Sequence, residues 1–273
     1  MELRHHSPSG ARAAGSQSPR WSVPWRSWVG APATSSGGGI LVAIGLWTVL
    51  TSDADGQLHA FGPASTAAAG VKLLLNGHFW QGVWESLLRL GGGLLVAAAV
   101  GIPVGLAIGK YSRLRRLTYA PFQVLRMVSP LSWTPVAIIL LGIGSGPVYF
   151  LVAVAAVWPV ILNTAAGVEA TNRHWIEAAR VQGAGELQLF RHVLIRSALP
   201  HILLGIQLAL GIGWVVLVPA EMLGVASGLG YMILDFRDVN DYASIMALIL
   251  AIGLIGLALD LPHRKAVEWA SWN

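Results

Sequence analysis

The sequence contains no cysteine. Disulfides and thiolate metal sites are therefore excluded. Charge is scarce as well. Asp, Glu, Lys and Arg make up 11% of the residues, where a soluble domain carries roughly 25%. Carboxylates are missing from the middle of the long apolar runs; Glu221 and Asp260 sit at run ends. A transporter driven by an ion gradient would need an acidic or His relay at membrane depth, so that class is disfavoured. The eight His residues are scattered through loops and ends. That counts against a membrane-embedded enzyme, which would need a clustered His/Asp/Glu site, and leaves no catalytic or metal site to nominate. A phosphate loop of the form G-x-x-x-x-G-K-S/T is absent. The basic residues form loop clusters beside apolar spans and no continuous basic face, which excludes nucleic acid as a partner.

What is present is apolar. Hydrophobic residues reach 55% and mean hydropathy is +0.62. Composition alone makes this a polytopic membrane protein in contact with lipid. Residues 1–36 are polar, rich in Ser, Pro, Gly and Ala, and read as a disordered cytoplasmic tail. Its Trp21, Trp25 and Trp28 mark the approach to the bilayer. His5-His6 in that tail are incidental.

Residues 37–84 hold a first span, Gly38–Leu50, and an outside interfacial segment anchored by Trp80 and Trp84. A transmembrane domain is expected over 85–262. Span two is Leu87–Gly109, with Gly101, Gly105 and Gly109 at the four-residue spacing that lets helices approach closely in lipid. Span three, Pro121–Leu141, carries Pro121, Pro130 and Pro135, and is expected to be bent or broken. Span four is Pro147–Val168, span five Ala198–Met222 and span six Tyr242–Leu261, followed by a cytoplasmic tail over 263–273. With the N-terminus inside, fourteen of the 18 Lys and Arg residues fall on the cytoplasmic side. The positive-inside rule thus fits six spans with both termini cytoplasmic.

The cytoplasmic loop 169–197 has the most specific pattern. Ile176–Gln182 is a good helix, Gly183 permits a left-handed turn, and Glu186–Ile195 reads as a second short helix. Leu187, Phe190, Val193 and Leu194 form its apolar stripe, with Arg191 and Arg196 outside it. On physics alone, a pair of interfacial helices lying on the membrane is an equal reading. The spacing Glu177-Ala178-Ala179, three residues, Gly183, resembles the "EAA" loop of binding-protein-dependent ABC importer permeases. Val193, Ile195 and Arg196 stand where that family has Ile, Leu and Pro, while Pro200 fits a second Pro seen in many members.

The resemblance extends from about Glu85 to Asp260. Ser86-Leu87-Leu88-Arg89, Ser129-Pro130-Leu131-Ser132-Trp133-Thr134-Pro135, Trp158-Pro159 with Asn163-Thr164, and Ala220-Glu221-Met222-Leu223 look like the nitrate, sulfonate and taurine branch. The Trp158-Pro159…Asn163-Thr164 segment and Gly228-Leu229-Gly230-Tyr231 look most similar to the nitrate members. The resemblance implies an all-α type I importer domain in the bacterial inner membrane. It also implies a homodimer of permeases, two ATP-binding cassette subunits that use ATP and Mg, and an external binding protein. Nitrate is the first expected cargo, then sulfonate or taurine, then bicarbonate or cyanate.

Candidate residues follow. Glu177, Ala178, Ala179, Arg180 and Gly183 are expected to contact the ATPase, with Glu177 alternatively capping its own helix. Ser129, Ser132, Trp133, Thr134 and Asn163 offer hydroxyl and amide partners to an oxyanion, or hydrogen bonds between helices. Arg89 can attract an anion or pair with Glu221. Arg126 is placed to snorkel to headgroups. Trp158 and Trp214 read as packing residues.

Overall fold

The computed structural model describes residues 33–52 and 57–271. The expected tail therefore lies largely outside the described residues. The chain divides into a unit over Met1–Val49 and a unit over Leu50–Asn273. In the first, helix α1 (Ala33–Ser52) begins, and it is apolar from Leu41 onward. The expected span one is thus helical, but its apolar part, Leu41–Ser52, is shorter than a membrane crossing needs. The second unit carries a 3-10 turn, Gln57–Phe61, and helices α2 (Pro63–Leu75), α3 (Gly77–Lys110), α4 (Ser112–Met127) and α5 (Thr134–Leu141). It continues with α6 (Ser145–Glu169), α7 (Arg173–Val181), α8 (Glu186–Gly224), α9 (Leu229–Asp238) and α10 (Tyr242–Ser271). Among the described residues, α3, α6, α8 and α10 are long and apolar enough to cross a membrane. The segments before and after a bend of 87° at residues 128–129 make a fifth candidate span.

The bundle is built around α6, which packs along α3 on one side and α8 on the other. A Cβ on Gly93, Gly101, Gly105 or Gly109 of α3 would lie 2.5, 2.8, 2.6 or 2.6 Å from Val152, Val160, Thr164 or Val168 of α6. The partners advance in step, so α3 and α6 run parallel with almost no side-chain layer between them. This is what the four-residue glycine spacing implies. The return strand of the topology is the bent α4–α5 pair. A larger apolar cluster, with Phe79, Leu151, Leu217, Leu229 and Leu248, closes the opposite end.

Span three is bent as expected, while three other stretches differ from the reading of the sequence. The interfacial segment does not end at Trp84, because Trp80 and Trp84 lie in the first turns of the long span α3. Asn76 breaks the chain with an extended backbone, its Oδ1 accepting from the His78 N–H at 3.0 Å, and α3 starts there. Phe79 and Val83 enter the core while Trp80 and Trp84 stay exposed. The boundary placed at 84/85 thus falls inside α3. Span three is two helices meeting at a bend, because Pro130 and Pro135 withdraw two N–H donors within one turn and a half. Residues 223–241, which join spans five and six and read as an outside segment, Gly-rich and then acidic, contain α9, whose Leu229 and Met232 are buried in the core. Finally, α10 runs on through Pro262 to Ser271, so the expected C-terminal tail begins as helix.

Candidate functional site

The loop after α6 forms a compact motif at the bundle end that carries Lys110, Arg113, Arg115 and Arg116. Helix α7 is started by Asn172, whose side chain accepts from the His174 N–H at 2.9 Å. Its end is a Schellman turn. Gly183 sits at φ +81°, its N–H donates to the Arg180 carbonyl at 3.0 Å, and the Ala184 N–H donates to the Ala179 carbonyl at 3.0 Å. A Cβ on Gly183 would meet nothing within 4 Å, so its requirement is conformational and not steric. Ile176 and Ala179 fasten α7 to Leu106, Val168, Leu189, Leu194, Ala198 and Ile202. The other side of α7 is open: Glu177, Ala178 and Arg180 are exposed, with Trp175 69% and Val181 89% exposed beside them.

The structure departs from expectation at two points here. Glu177 lies in the second turn of α7, and Asn172 is the cap, so Glu177 does not cap its own helix. Its partner is Arg173 at 3.8 Å, an exposed contact of the kind worth about 0–1 kcal/mol. The second short helix does not exist as a separate element either. Glu186–Gln188 leads through a π-helical turn, Leu189–Leu194, straight into the span, and Pro200 lies within α8. The wider turn moves the buried positions to Leu189 and Leu194, five apart, and leaves Leu187 exposed. Arg191 and Arg196 are exposed as read. Glu186 bridges the loop to α3: Arg180 Nη2 lies 3.2 Å from Glu186 Oε1, and Lys110 Nζ 3.7 Å from Oε2. Trp175 was missed by sequence reasoning; a large aromatic in an otherwise polar helix was the available signal.

The proline-rich break brings Ser129, Ser132, Trp133 and Thr134 together by adjacency. Ser129 and Ser132 are exposed on it. Thr134 Oγ1 donates to its own turn, to the Leu131 carbonyl at 2.6 Å, and Trp133 packs on the large core cluster. Asn163 stands apart from them. It lies on the face of α6 turned to Gly205 of α8, and its Nδ2 donates to the Pro159 carbonyl at 2.8 Å.

At the far end of the bundle Arg89 is buried in a closed network. Its Nε donates to Ser145 Oγ at 3.1 Å, Nη1 to Glu221 Oε1 at 2.8 Å and the Ser227 carbonyl at 2.9 Å, and Nη2 to Ser227 Oγ at 2.7 Å and Glu85 Oε2 at 3.2 Å. All five donors of the guanidinium are thereby used. Fully buried Glu221 also receives Ser86 Oγ at 2.8 Å and the Gly230 N–H at 2.9 Å. Gly228, at φ +99°, passes so close that a Cβ would lie 2.5 Å from both Arg89 Nη1 and Glu221 Oε1. Of the two readings of Arg89, the geometry has the ion pair; no donor is left over for a passing anion. The roles of Ser86, Ser145 and Ser227 were not legible, because small hydroxyl residues carry no signal until their partners are placed.

With this geometry in hand, comparisons with known proteins take on weight. Residues 101–264 match the family described as binding-protein-dependent transport system inner membrane component. A probable ABC transporter permease protein of Brucella melitensis is 34% identical over 84% of this chain and 94% of its own length. The bicarbonate transport system permease protein of Synechococcus elongatus is 33% identical over 85% of each chain. The nitrate import permease protein of Leptolyngbya laminosa is 32% identical over 80% of this chain and 81% of its own. Among solved structures, a chain of an inward-facing methionine ABC transporter superposes with a TM-score of 0.59 at 19% identity, covering 72% of this chain and 96% of that one.

Proposed function

The chain belongs to the inner membrane components of binding-protein-dependent transport systems, and on that premise we propose that it is the permease subunit through which an ATP-driven importer passes a small oxyanion, nitrate first. One observation carries the cargo class. Relatives named for nitrate and for bicarbonate import are about equally similar to this chain and align along most of it. Both cargoes are small planar oxyanions, which makes bicarbonate the second reading.

In this reading ATP and Mg bind in two partner cassette subunits, an external binding protein delivers the anion, and a second copy of this chain completes the path. The exposed side of α7 is the surface the ATPase covers. It presents Glu177, Ala178 and Arg180 with the uncovered apolar Trp175 and Val181, and large exposed apolar residues at a polar end favour a protein partner. Gly183 sets the angle of that surface. Ser129 and Ser132, exposed at the proline break, are the path hydroxyls.

The test is reconstitution in lipid with the neighbouring ATPase and binding protein. Nitrate, nitrite, bicarbonate, taurine and an alkanesulfonate are added one at a time while ATP hydrolysis is measured. Stimulation by nitrate, or by bicarbonate in the second reading, is the expected result. Stimulation by taurine or the sulfonate alone would overturn the cargo, and failure of the ATPase to associate would overturn the assignment of α7.

A further inference from the structure

We infer that the cavity between α4 and α6 is an oxyanion-binding station, held positive by Arg126; the inference rests on the importer reading above and names where the anion pauses. The cavity has a volume of about 460 Å³. That is within the range of sites for small molecules, and roomy for a hydrated ion, since one water takes about 30 Å³. Helix α4 contributes Arg115, Tyr119, Phe122, Gln123 and Arg126 to its wall. These recur at helical spacing and form one stripe. Leu117, Val124 and Met127 lie off that stripe and are 74%, 68% and 69% exposed. Helix α4 thus turns polar groups to an open cavity, where Tyr119 is itself 72% exposed, and Leu117, Val124 and Met127 away from it. In a membrane protein that arrangement belongs to a helix with lipid or another chain on one side and a wet cavity on the other.

The charges decide what the cavity takes. Arg115 is ion-paired with Glu169, so the two cancel. Thr118 gives its hydroxyl proton to the Leu114 carbonyl at 2.9 Å and is no donor to a guest. Arg126 faces no carboxylate within ion-pair distance among the described residues. One net positive charge remains, with the Gln123 amide and the Tyr119 hydroxyl on the same stripe as further donors. The facing wall is apolar: Ile161, Leu162 and Ala165, with Trp158 set edge-on to Phe122 at 5.3 Å between ring centroids. A cation on a low-dielectric wall draws anions more strongly than the same cation in water. The guest is an oxyanion, either the transported ion or an anionic lipid headgroup.

The absence of cysteine makes the test clean. Gln123→Cys gives the chain a single thiol, and Thr118→Cys on the neighbouring turn gives a second position. The assembled transporter in phosphatidylcholine vesicles is treated with two methanethiosulfonates of similar size, one bearing a sulfonate and one a trimethylammonium group. Labelling of this chain is followed by mass. The ratio of anionic to cationic labelling rates is expected to fall about tenfold when Arg126→Gln is added, and to stay within a small factor with Arg126→Lys. An unchanged ratio at both positions overturns the site. Nitrate that slows anionic labelling identifies the transported ion as the guest. Slowing by added phosphatidylglycerol, with nitrate inert, identifies the headgroup. Labelling needs no transport, so a site that passes this test in a complex that imports none of the anions would sink the function and leave the site standing.

Discussion

Two residues illustrate how different constraints stand behind two glycines at positive φ. Gly183 has open space where a Cβ would go, so Gly183→Ala adds only the cost of a left-handed L-residue, about 1–2 kcal/mol. Hydrogen exchange should report faster opening of the amides of residues 183 and 184, and Gly183→Asn should recover part of the loss, since Asn tolerates that conformation better. Gly228 has no space at all, and Gly228→Ala should behave like a break in the Arg89–Glu221 pair. Removing one member of a buried ion pair costs about 3–5 kcal/mol because the other is left charged and unpaired. Glu221→Ala is therefore expected to lower stability by about that amount in thermal unfolding of the purified protein. The double variant Arg89→Met/Glu221→Met should lose less than either single change, which a double-mutant cycle measures directly.

At the scale of elements, the α3–α6 contact is a close backbone approach. Gly105→Ala already brings a Cβ to 2.6 Å from Thr164 and 2.7 Å from the Ile161 carbonyl, so the helices must separate. Overpacking of this kind costs about 1–3 kcal/mol, and the same unfolding measurement should show it, while Gly91→Ala, which meets nothing within 4 Å, should leave stability unchanged or slightly raised, since Ala is the better helix former. This contact was legible in the sequence because glycine at every fourth position has few uses other than close approach. The bent span was legible from its prolines, and the turn at Gly183 from its place between two helical runs. The π-turn was not. Nothing in Leu189–Leu194 distinguishes a five-residue repeat from the ordinary one until both Leu189 and Leu194 find the same cluster. The cavity stripe on α4 was half legible: Arg126 stood out as a charge at membrane depth, but its facing wall came from α6, in a part of the sequence that gave no hint of a partner.

At the scale of the whole molecule, Glu186 joins the loop to α3 through a single contact with half-buried Lys110, and pairs within the loop with exposed Arg180. With Glu186 itself exposed, such pairs are weak, about 0–1 kcal/mol. Glu186→Ala should therefore lower transport by less than about fivefold in the reconstituted importer, with ATP hydrolysis retained. A larger loss would mean that Glu186 touches the ATPase itself. More follows from the continuity of α8. Its 39 residues span about 58 Å at 1.5 Å per residue, nearly twice the roughly 30 Å of a hydrocarbon core. One end lies against α7, and the other carries Glu221 in the Arg89 network. Under the proposed function the helix is a push-rod, with one head beside the ATPase-facing α7 and the other seated in a socket. A thrust at the near head meets no break in the chain of helical turns, because the π-turn leads straight into the span. On that reading it travels the length of the rod or bends it at the π-turn, Pro200 or Pro219, and a rod that stays straight carries it to the Arg89–Glu221 socket.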